Sequence, residues 1–295
     1  MTKEKVYIFD TTLRDGAQTQ GVDFSIDDKL KIASALDSLG VDYIEGGWPG
    51  ANPTDTEFFQ KDLNLKNSIL TAFGMTKKTG RSAENDPGIA AISNCNTRAV
   101  CLVGKAWDFH VDVALEITNE ENLENIVDST KHFVKEKKDF MFDAEHFFDG
   151  YKSNPEYSID VLRIAHNNGA ERLILCDTNG GTLPSEIYKI TKEVTNALPK
   201  SAILGIHTHN DTDTAVASSL AAYEAGAIQI QGCVNGYGER TGNANIVSII
   251  GNLKLKMNID AIDDENVSKL TELANCLILF LRVSIPDSSE PLIII

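Results

Sequence analysis

The feature that most constrains the fold is one pattern repeated along the chain: a short apolar run, a turn rich in Gly, Asn, Asp and Thr, then an amphipathic stretch. This alternation predicts parallel strands joined by right-handed helical crossovers, with each strand buried on both faces. Eight units favour a closed (β/α)8 TIM barrel, and an open doubly wound sheet is the alternative. The predicted strands are Val6–Asp10, Tyr43–Gly46, Ile69–Phe73, Ala99–Val103, Phe140–Phe142, Leu173–Cys176, Ile203–His207 and Ile228–Gly232.

The amphipathic stretches predict the crossover helices. The clearest is Ser25–Leu39, where Ser25 suits a helix N-cap and Gly40 ends the pattern. The others lie near Thr54–Leu63, Ser82–Ser93, Glu121–Lys138, Tyr157–Asn168, Pro184–Leu198, Thr212–Ala225 and Asn245–Lys256. Chemistry in such barrels lies at the carboxyl ends of the strands, so the residues that follow each run are the ones to inspect.

Composition and charge exclude several classes of function. The 295 residues include 27 Lys and Arg against 43 Asp and Glu, a formal charge of −16. This acidic balance argues against a nucleic-acid partner, because phosphate backbones require a basic surface. We expect no signal peptide and no membrane span, since no apolar run has the necessary length. Five cysteines without a CxxC pair fit buried thiols in a reducing compartment, which predicts a cytoplasmic protein.

Metal-ligating residue types follow three runs that become neighbours when the barrel closes. Asp15 follows the first run, His207 and His209 end the seventh, and a Gly-punctuated loop rich in Asn follows the eighth. Residues i and i+2 of a strand share a face, so both imidazoles can reach one ion. The alternative is that the His pair only packs or caps.

Two imidazoles, a carboxylate and an amide oxygen suit a divalent cation such as Zn²⁺ or Mn²⁺, with Mg²⁺ or Co²⁺ as further options. Four protein ligands on an octahedral ion leave two adjacent positions, which match the carboxylate and keto oxygens of a 2-oxo acid. Such an ion would act as a Lewis acid on the ketone.

These motifs resemble the metal-dependent acyl-CoA condensing and cleaving barrels that include isopropylmalate, homocitrate and citramalate synthases and hydroxymethylglutaryl-CoA lyase. The resemblance covers about residues 5–285. The family's Asp-Arg-Glu set matches Asp15, Arg14 and Glu45, and its metal ligands match Asp15, His207, His209 and Asn243. The segments 45–53 and 235–240 look like the citramalate synthase branch, and the lyase branch usually carries a Cys in its eighth loop, which is absent between Asn235 and Asn245.

The resemblance implies a reaction of acetyl-CoA, as co-substrate, with pyruvate and water to give citramalate and CoA. It implies that Arg14 binds the ketone oxygen, that Glu45 holds Arg14, and that Thr178 donates its hydroxyl to the pyruvate carboxylate. Glu145 would take part in removing a proton from the acetyl methyl group, and Gln18 would lie near the thioester. The alternatives are a plain ion pair for Glu45 and a turn or cap role for Thr178.

Further expectations concern the surroundings of the site. Lys77, Lys78 and Arg81 could meet CoA phosphates or form a solvated loop, and His146 and Cys233 are interpreted as structural. We expect a catalytic barrel over residues 1–283 and a truncated linker or tail over 284–295, without the lid and regulatory domains of the family. The resemblance implies a homodimer. Competing hypotheses are a sister synthase for 2-oxoisovalerate or 2-oxoglutarate, a lyase, and a barrel that binds metal and oxo acid without turnover.

Overall fold

The computed structural model describes residues 5–280, and within them eight parallel strands close into a barrel in sequence order. The strands are β1 (Tyr7–Asp10), β2 (Tyr43–Gly47), β3 (Ile69–Met75), β4 (Ala99–Lys105), β5 (Asp139–Glu145), β6 (Arg172–Asp177), β7 (Ile203–Thr208) and β8 (Gln229–Gly232). Every predicted strand is present. The closed order confirms the TIM barrel and excludes the open sheet.

The helices of the described residues surround this barrel. They are α1 (Ile26–Leu39), α2 (Pro53–Phe58), α3 (Pro87–Ser93), α4 (Asp108–Leu115), α5 (Asn119–Lys135), α6 (Phe147–Ser153), α7 (Pro155–Asn167), α8 (Pro184–Ala197), α9 (Ala215–Ala225), α10 (Ile246–Gly251) and α11 (Leu270–Phe280). None of the helices in residues 5–280 is long and apolar enough to cross a membrane. The predicted tail over 284–295 lies outside the described residues.

The strongest sequence signal for a helix is confirmed in detail at α1. The Ser25 side chain accepts a hydrogen bond from the Asp28 N–H, and the Asp28 carboxylate accepts one from the Ser25 N–H, which is a capping box. Gly40 ends the helix in the left-handed region at φ 87°. By contrast, α9 begins three residues later than predicted, and Asn210 Oδ1 accepts the N–H of its first residue, Ala215.

The interior of the barrel is layered, and its most polar layer lies towards the carboxyl ends of the strands. At the amino ends, the Arg172 guanidinium stacks on the rings of Tyr7 and Tyr43, 4.8 and 5.1 Å from their centroids. A second layer is apolar: Phe9, Ala99, Cys101, Met141, Ile174 and Cys176. A third layer is polar and buried: Glu45, Asp143, His207 and Gln231. The chemistry therefore lies above a closed, packed floor.

A buried ion pair fixes the loop that follows β2. Lys29 of α1 pairs with Asp55 of α2 and also donates to the Gly46 carbonyl at 3.0 Å. Asp55 in turn accepts the Trp48 N–H at 2.8 Å. Lys29 and Asp55 are only 2 % and 7 % exposed, so water does not compensate for a lost partner. The pair therefore holds Trp48 in place at the mouth of the barrel.

Replacing Lys29 with Met is expected to lower the free energy of unfolding by about 3–5 kcal/mol, because Asp55 would keep a buried charge without its partner. Urea unfolding followed by circular dichroism measures this loss. Lys61→Met is the matched control, since Lys61 pairs with Glu57 on the exposed surface, and its expected cost is about 0–1 kcal/mol. Equal losses in the two variants would contradict the structural role of Lys29.

Candidate active site

Three of the predicted metal ligands meet at the carboxyl end of the barrel. Asp15 Oδ2 lies 3.3 Å from His207 Nε2, and the Nε2 atoms of His207 and His209 are 3.1 Å apart. All three side chains are 6 % exposed or less. They meet because β8 pairs with β1 on one side and with β7 on the other, as the closed barrel predicts.

A tight turn after β1 presents the acidic ligand. The backbone N–H groups of Arg14, Asp15 and Gly16 all point at the Thr11 carbonyl, at 3.2, 2.8 and 3.1 Å. This turn places the guanidinium of Arg14 and the carboxylate of Asp15 side by side at the mouth. The adjacent sequence positions therefore give two opposite charges in one small volume.

The loop after β8 brings Asn243 beside His209, to which it is bridged by antiparallel pairing. The loop can close only because residue 242 is glycine: its φ is 95°, and a Cβ would lie 2.0 Å from the Gly236 carbonyl oxygen. Asn243 Nδ2 donates to Cys233 Sγ at 3.3 Å, whereas its Oδ1 is buried and has no hydrogen-bond partner among the described residues. Burying an oxygen without a hydrogen-bond partner costs free energy, so the position of Asn243 Oδ1 favours a role as a metal ligand.

Electrostatics leave Asp15 and His209 in the protonation states that bind a cation. Burial opposes ionisation of Asp15, but the charge of Arg14 and the neighbouring His207 outweigh it and hold the pKa well below its usual value. Burial, together with the neighbouring His207, lowers the pKa of His209 to about 3. Asp15 is therefore a carboxylate and His209 a neutral imidazole at neutral pH, which are the ligand states that metals require. With the free oxygen of Asn243, the donor set fits a divalent cation.

The predicted pair of Arg14 and Glu45 is present, and the guanidinium is fixed on three sides. Arg14 Nε donates to Glu45 Oε2 at 2.6 Å, and the guanidinium carbon lies 3.9 Å from the centre of the Phe73 ring. Its Nη2 is 3.8 Å from Asp15 Oδ2. Burial raises the pKa of Glu45 to about 7, against the opposing charge of Arg14.

Glu145 ends β5 and forms an ion pair with Lys105, its register partner at the end of β4. Both side chains line a cleft of about 630 Å³. The same cleft is lined by the predicted basic residues Lys77, Lys78 and Arg81. Glu145 and a basic surface therefore share one opening.

Thr178 lies in the loop after β6, with its hydroxyl oriented by the neighbouring loop. The His146 N–H donates to Thr178 Oγ1 at 2.8 Å, which leaves the hydroxyl hydrogen to donate elsewhere. Arg240, which the sequence did not single out, donates from Nη2 to the Thr178 carbonyl at 2.6 Å. The same nitrogen lies 3.3 Å from His209 Nδ1. Arg240 thus ties the loop after β6 to the imidazole cluster.

Gln18 is exposed and ends the short 3-10 turn Gly16–Gln18. It lines a second cleft, of about 450 Å³, together with Arg14 and Trp48. Trp48 borders both this cleft and the one that holds Glu145. The structure therefore places Gln18 near Arg14 and not in contact with the imidazoles.

Four polar residues that sequence reasoning missed belong to the site: Lys105, Asp143, Gln231 and Arg240. The strand period carries a signal for two of them. Asp143 precedes the predicted Glu145 by two residues, so both face the interior, and Gln231 faces inward two residues after Gln229. Lys105 and Arg240 depend on register and loop closure, which a single sequence does not display.

A closed parallel barrel with an arginine, carboxylates and two imidazoles at the carboxyl ends of its strands defines a TIM-barrel enzyme scaffold. The sequence matches the HMGL-like family over residues 5–277, and the chain belongs to this family.

Curated relatives are similar over nearly the whole chain. An (R)-citramalate synthase from Aquifex aeolicus is 54 % identical over 96 % of this chain, and one from Synechocystis is 44 % identical over 99 %. A probable 2-isopropylmalate synthase from Methanopyrus kandleri is 34 % identical over 97 %. The chain spans about half the length of these relatives, 54 % in each case.

Solved structures share the fold. The HMG-CoA lyase of Bacillus subtilis superposes with a TM-score of 0.79 at 19 % identity, covering 95 % of both chains. The hydroxymethylglutaryl-CoA lyase of Pseudomonas aeruginosa gives 0.77 at 19 % identity, covering 94 % of both.

Replacing Asn243 with Leu separates ligand binding from stability. The substitution removes a buried oxygen that has no partner, so the metal-free chain is expected to keep or raise its melting temperature. Its affinity for Mn²⁺, measured by calorimetry, is expected to fall at least about tenfold, or about 1.4 kcal/mol. A chain that melts lower yet binds Mn²⁺ as before would show that Asn243 is structural.

Proposed function

We propose that this chain is the catalytic barrel of a citramalate synthase, which condenses acetyl-CoA with pyruvate and water to give citramalate and CoA. The observation that carries the proposal is the position of Arg14, held by Glu45 directly beside Asp15 and the two imidazoles. This arrangement sets a fixed guanidinium next to a candidate metal site. Such a site suits a 2-oxo acid, whose ketone must be bound and polarised.

The choice of pyruvate rests on the relatives. Those named (R)-citramalate synthase are 41–54 % identical to this chain, whereas those named 2-isopropylmalate synthase are 30–34 % identical. A sister synthase that uses a larger 2-oxo acid is the second candidate.

Asp15, His207, His209 and Asn243 would hold the divalent cation, of which Zn²⁺, Mn²⁺ and Mg²⁺ are the candidates. When bound, such an ion supplies Lewis-acid polarisation of the ketone. Arg14 keeps its charge in this setting, because burial is outweighed by Glu45 and Asp15, which raise its pKa. Its remaining N–H groups would hydrogen-bond the ketone oxygen and stabilise the alkoxide that forms there.

Glu145 would remove a proton from the acetyl methyl group or position the base that does so, and the resulting carbanion would attack the ketone carbon of pyruvate. Water then cleaves the thioester and releases CoA. Lys105 contacts Glu145 and orients it at the cleft, where Lys78 and Arg81 are exposed to meet anionic parts of acetyl-CoA. Thr178 would donate its hydroxyl to the pyruvate carboxylate, and Gln18 would lie near the thioester.

A homodimer, implied by the family resemblance, and a cytoplasmic location stay predictions. Light scattering after size-exclusion chromatography measures the mass in solution. A mass of about twice the chain's 32.2 kDa is expected, and a mass equal to one chain would contradict the dimer.

The purified chain is expected to release CoA from acetyl-CoA with pyruvate, in the presence of Mn²⁺, Mg²⁺ or Zn²⁺ and not after chelation. A thiol reagent measures the release against a panel of 2-oxo acids. Arg14→Gln is expected to lower kcat/KM about 10²–10³-fold, because it removes a charged donor aimed at the developing alkoxide. Arg98→Gln is the matched control, since Arg98 pairs with Asp139 and is exposed.

Each pattern of results has one meaning. Release with a larger oxo acid alone would assign the chain to a sister synthase. No release, with metal-dependent pyruvate binding still present in calorimetry, would favour a barrel that binds without turnover. Neither release nor binding would refute the site.

A further inference from the structure

A chain of hydrogen bonds crosses the barrel interior below the candidate metal ligands. His207 Nδ1 lies 2.9 Å from Gln231 Oε1, and Gln231 Nε2 donates to Asp143 Oδ1 at 3.1 Å. The Cys101 thiol donates to the same Asp143 oxygen at 3.2 Å. The path runs from β7 through β8 to β5 and β4, on the opposite side of the barrel. All four side chains are 4 % exposed or less.

The hydrogen bonds of this chain form one consistent set. Asp143 Oδ1 accepts from both the Cys101 thiol and the Gln231 amide nitrogen. With its nitrogen towards Asp143, Gln231 turns its oxygen towards His207. An oxygen at that position requires a hydrogen on His207 Nδ1. The hydrogen on Nδ1 leaves Nε2, the atom that faces Asp15 and His209, as the ligand atom.

We propose that Gln231 and Asp143 are positioning residues that fix the ring orientation and the Nδ1–H tautomer of His207 for the metal. The inference rests on the metal site of the proposed function and adds to it residues that do not touch the ion. Partners of this kind raise the basicity of a ligating imidazole, and their loss weakens metal binding about 10–100-fold.

A comparison with Gln229 shows that the positioning role belongs to residue 231 and is not shared by every buried amide in the barrel. It lies two residues earlier on β8, faces the same interior and is also 0 % exposed. Its Nε2 contacts only Met141 Sδ at 3.5 Å, and its Oε1 has no hydrogen-bond partner among the described residues. Gln229 therefore fills space, whereas both polar ends of Gln231 are used.

The test compares Gln231→Met with Gln229→Met, which make the same substitution one layer apart. Mn²⁺ affinity of the metal-free chain is measured by calorimetry, with circular dichroism and the melting temperature as checks of folding. Gln231→Met is expected to bind Mn²⁺ about 10–100-fold more weakly, and Gln229→Met is expected to bind it as the wild type does. Unchanged affinity in Gln231→Met, or equal losses in both variants, would overturn the proposal.

A double-mutant cycle tests Asp143, with circular dichroism as the check that each variant is folded. Asp143→Asn removes a negative charge near the site, so some loss of affinity is expected in any background. If Asp143 acts through Gln231, the loss is smaller in the Gln231→Met background than in the wild type. Losses that multiply independently would overturn the link. A wild-type chain that binds none of Mn²⁺, Mg²⁺ and Zn²⁺ would instead refute the metal site itself, and the proposal with it.

Discussion

Buried negative charge at the mouth of the barrel is the constraint on which the site depends. Asp15, Glu45 and Asp143 are each 3 % exposed or less, and Arg14 contacts the first two. Burying a carboxylate without a partner costs several kcal/mol, so three acids around Arg14 leave an excess that a divalent cation would offset. In the metal-free chain, burial raises the pKa of both Glu45 and Asp143. These shifts reflect the same excess of buried negative charge.

The barrel and the core of this site follow from short-range pattern. Eight apolar runs predict eight strands, and closure makes the first, seventh and eighth strands neighbours, so Asp15, His207 and His209 could be expected to meet. The pairing of Arg14 with Glu45 came from resemblance to a family and is present in the structure at 2.6 Å. In each case the residues lie at or shortly after the carboxyl end of a strand, where the topology brings them together.

What could not be predicted depends on register and on loop closure. Lys105 meets Glu145 because β4 and β5 pair without offset at their ends, and Arg240 reaches Thr178 through a loop with glycines at positions 236, 238 and 242. Helices α4 and α6 precede the predicted helices near Glu121–Lys138 and Tyr157–Asn168, and the sequence pattern did not predict them. It did not predict α11 either.

The use of an amide at position 231 follows from the same charge constraint. A carboxylate there would hold His207 more strongly, but it would add a fourth buried negative charge against Asp143 Oδ1, 3.1 Å from the present amide nitrogen. Gln231 transmits the polarity of Asp143 without net charge. Carboxylate oxygens of Asp143 and Glu45 also lie within 4.8 Å of each other. Asp143 therefore borders both His207, the imidazole that would bind the metal, and Glu45, the acid that holds Arg14. A substitution at Asp143 therefore disturbs both the metal ligands and the Arg14–Glu45 pair. For this reason, a specific effect on metal affinity is measured with a substitution at Gln231.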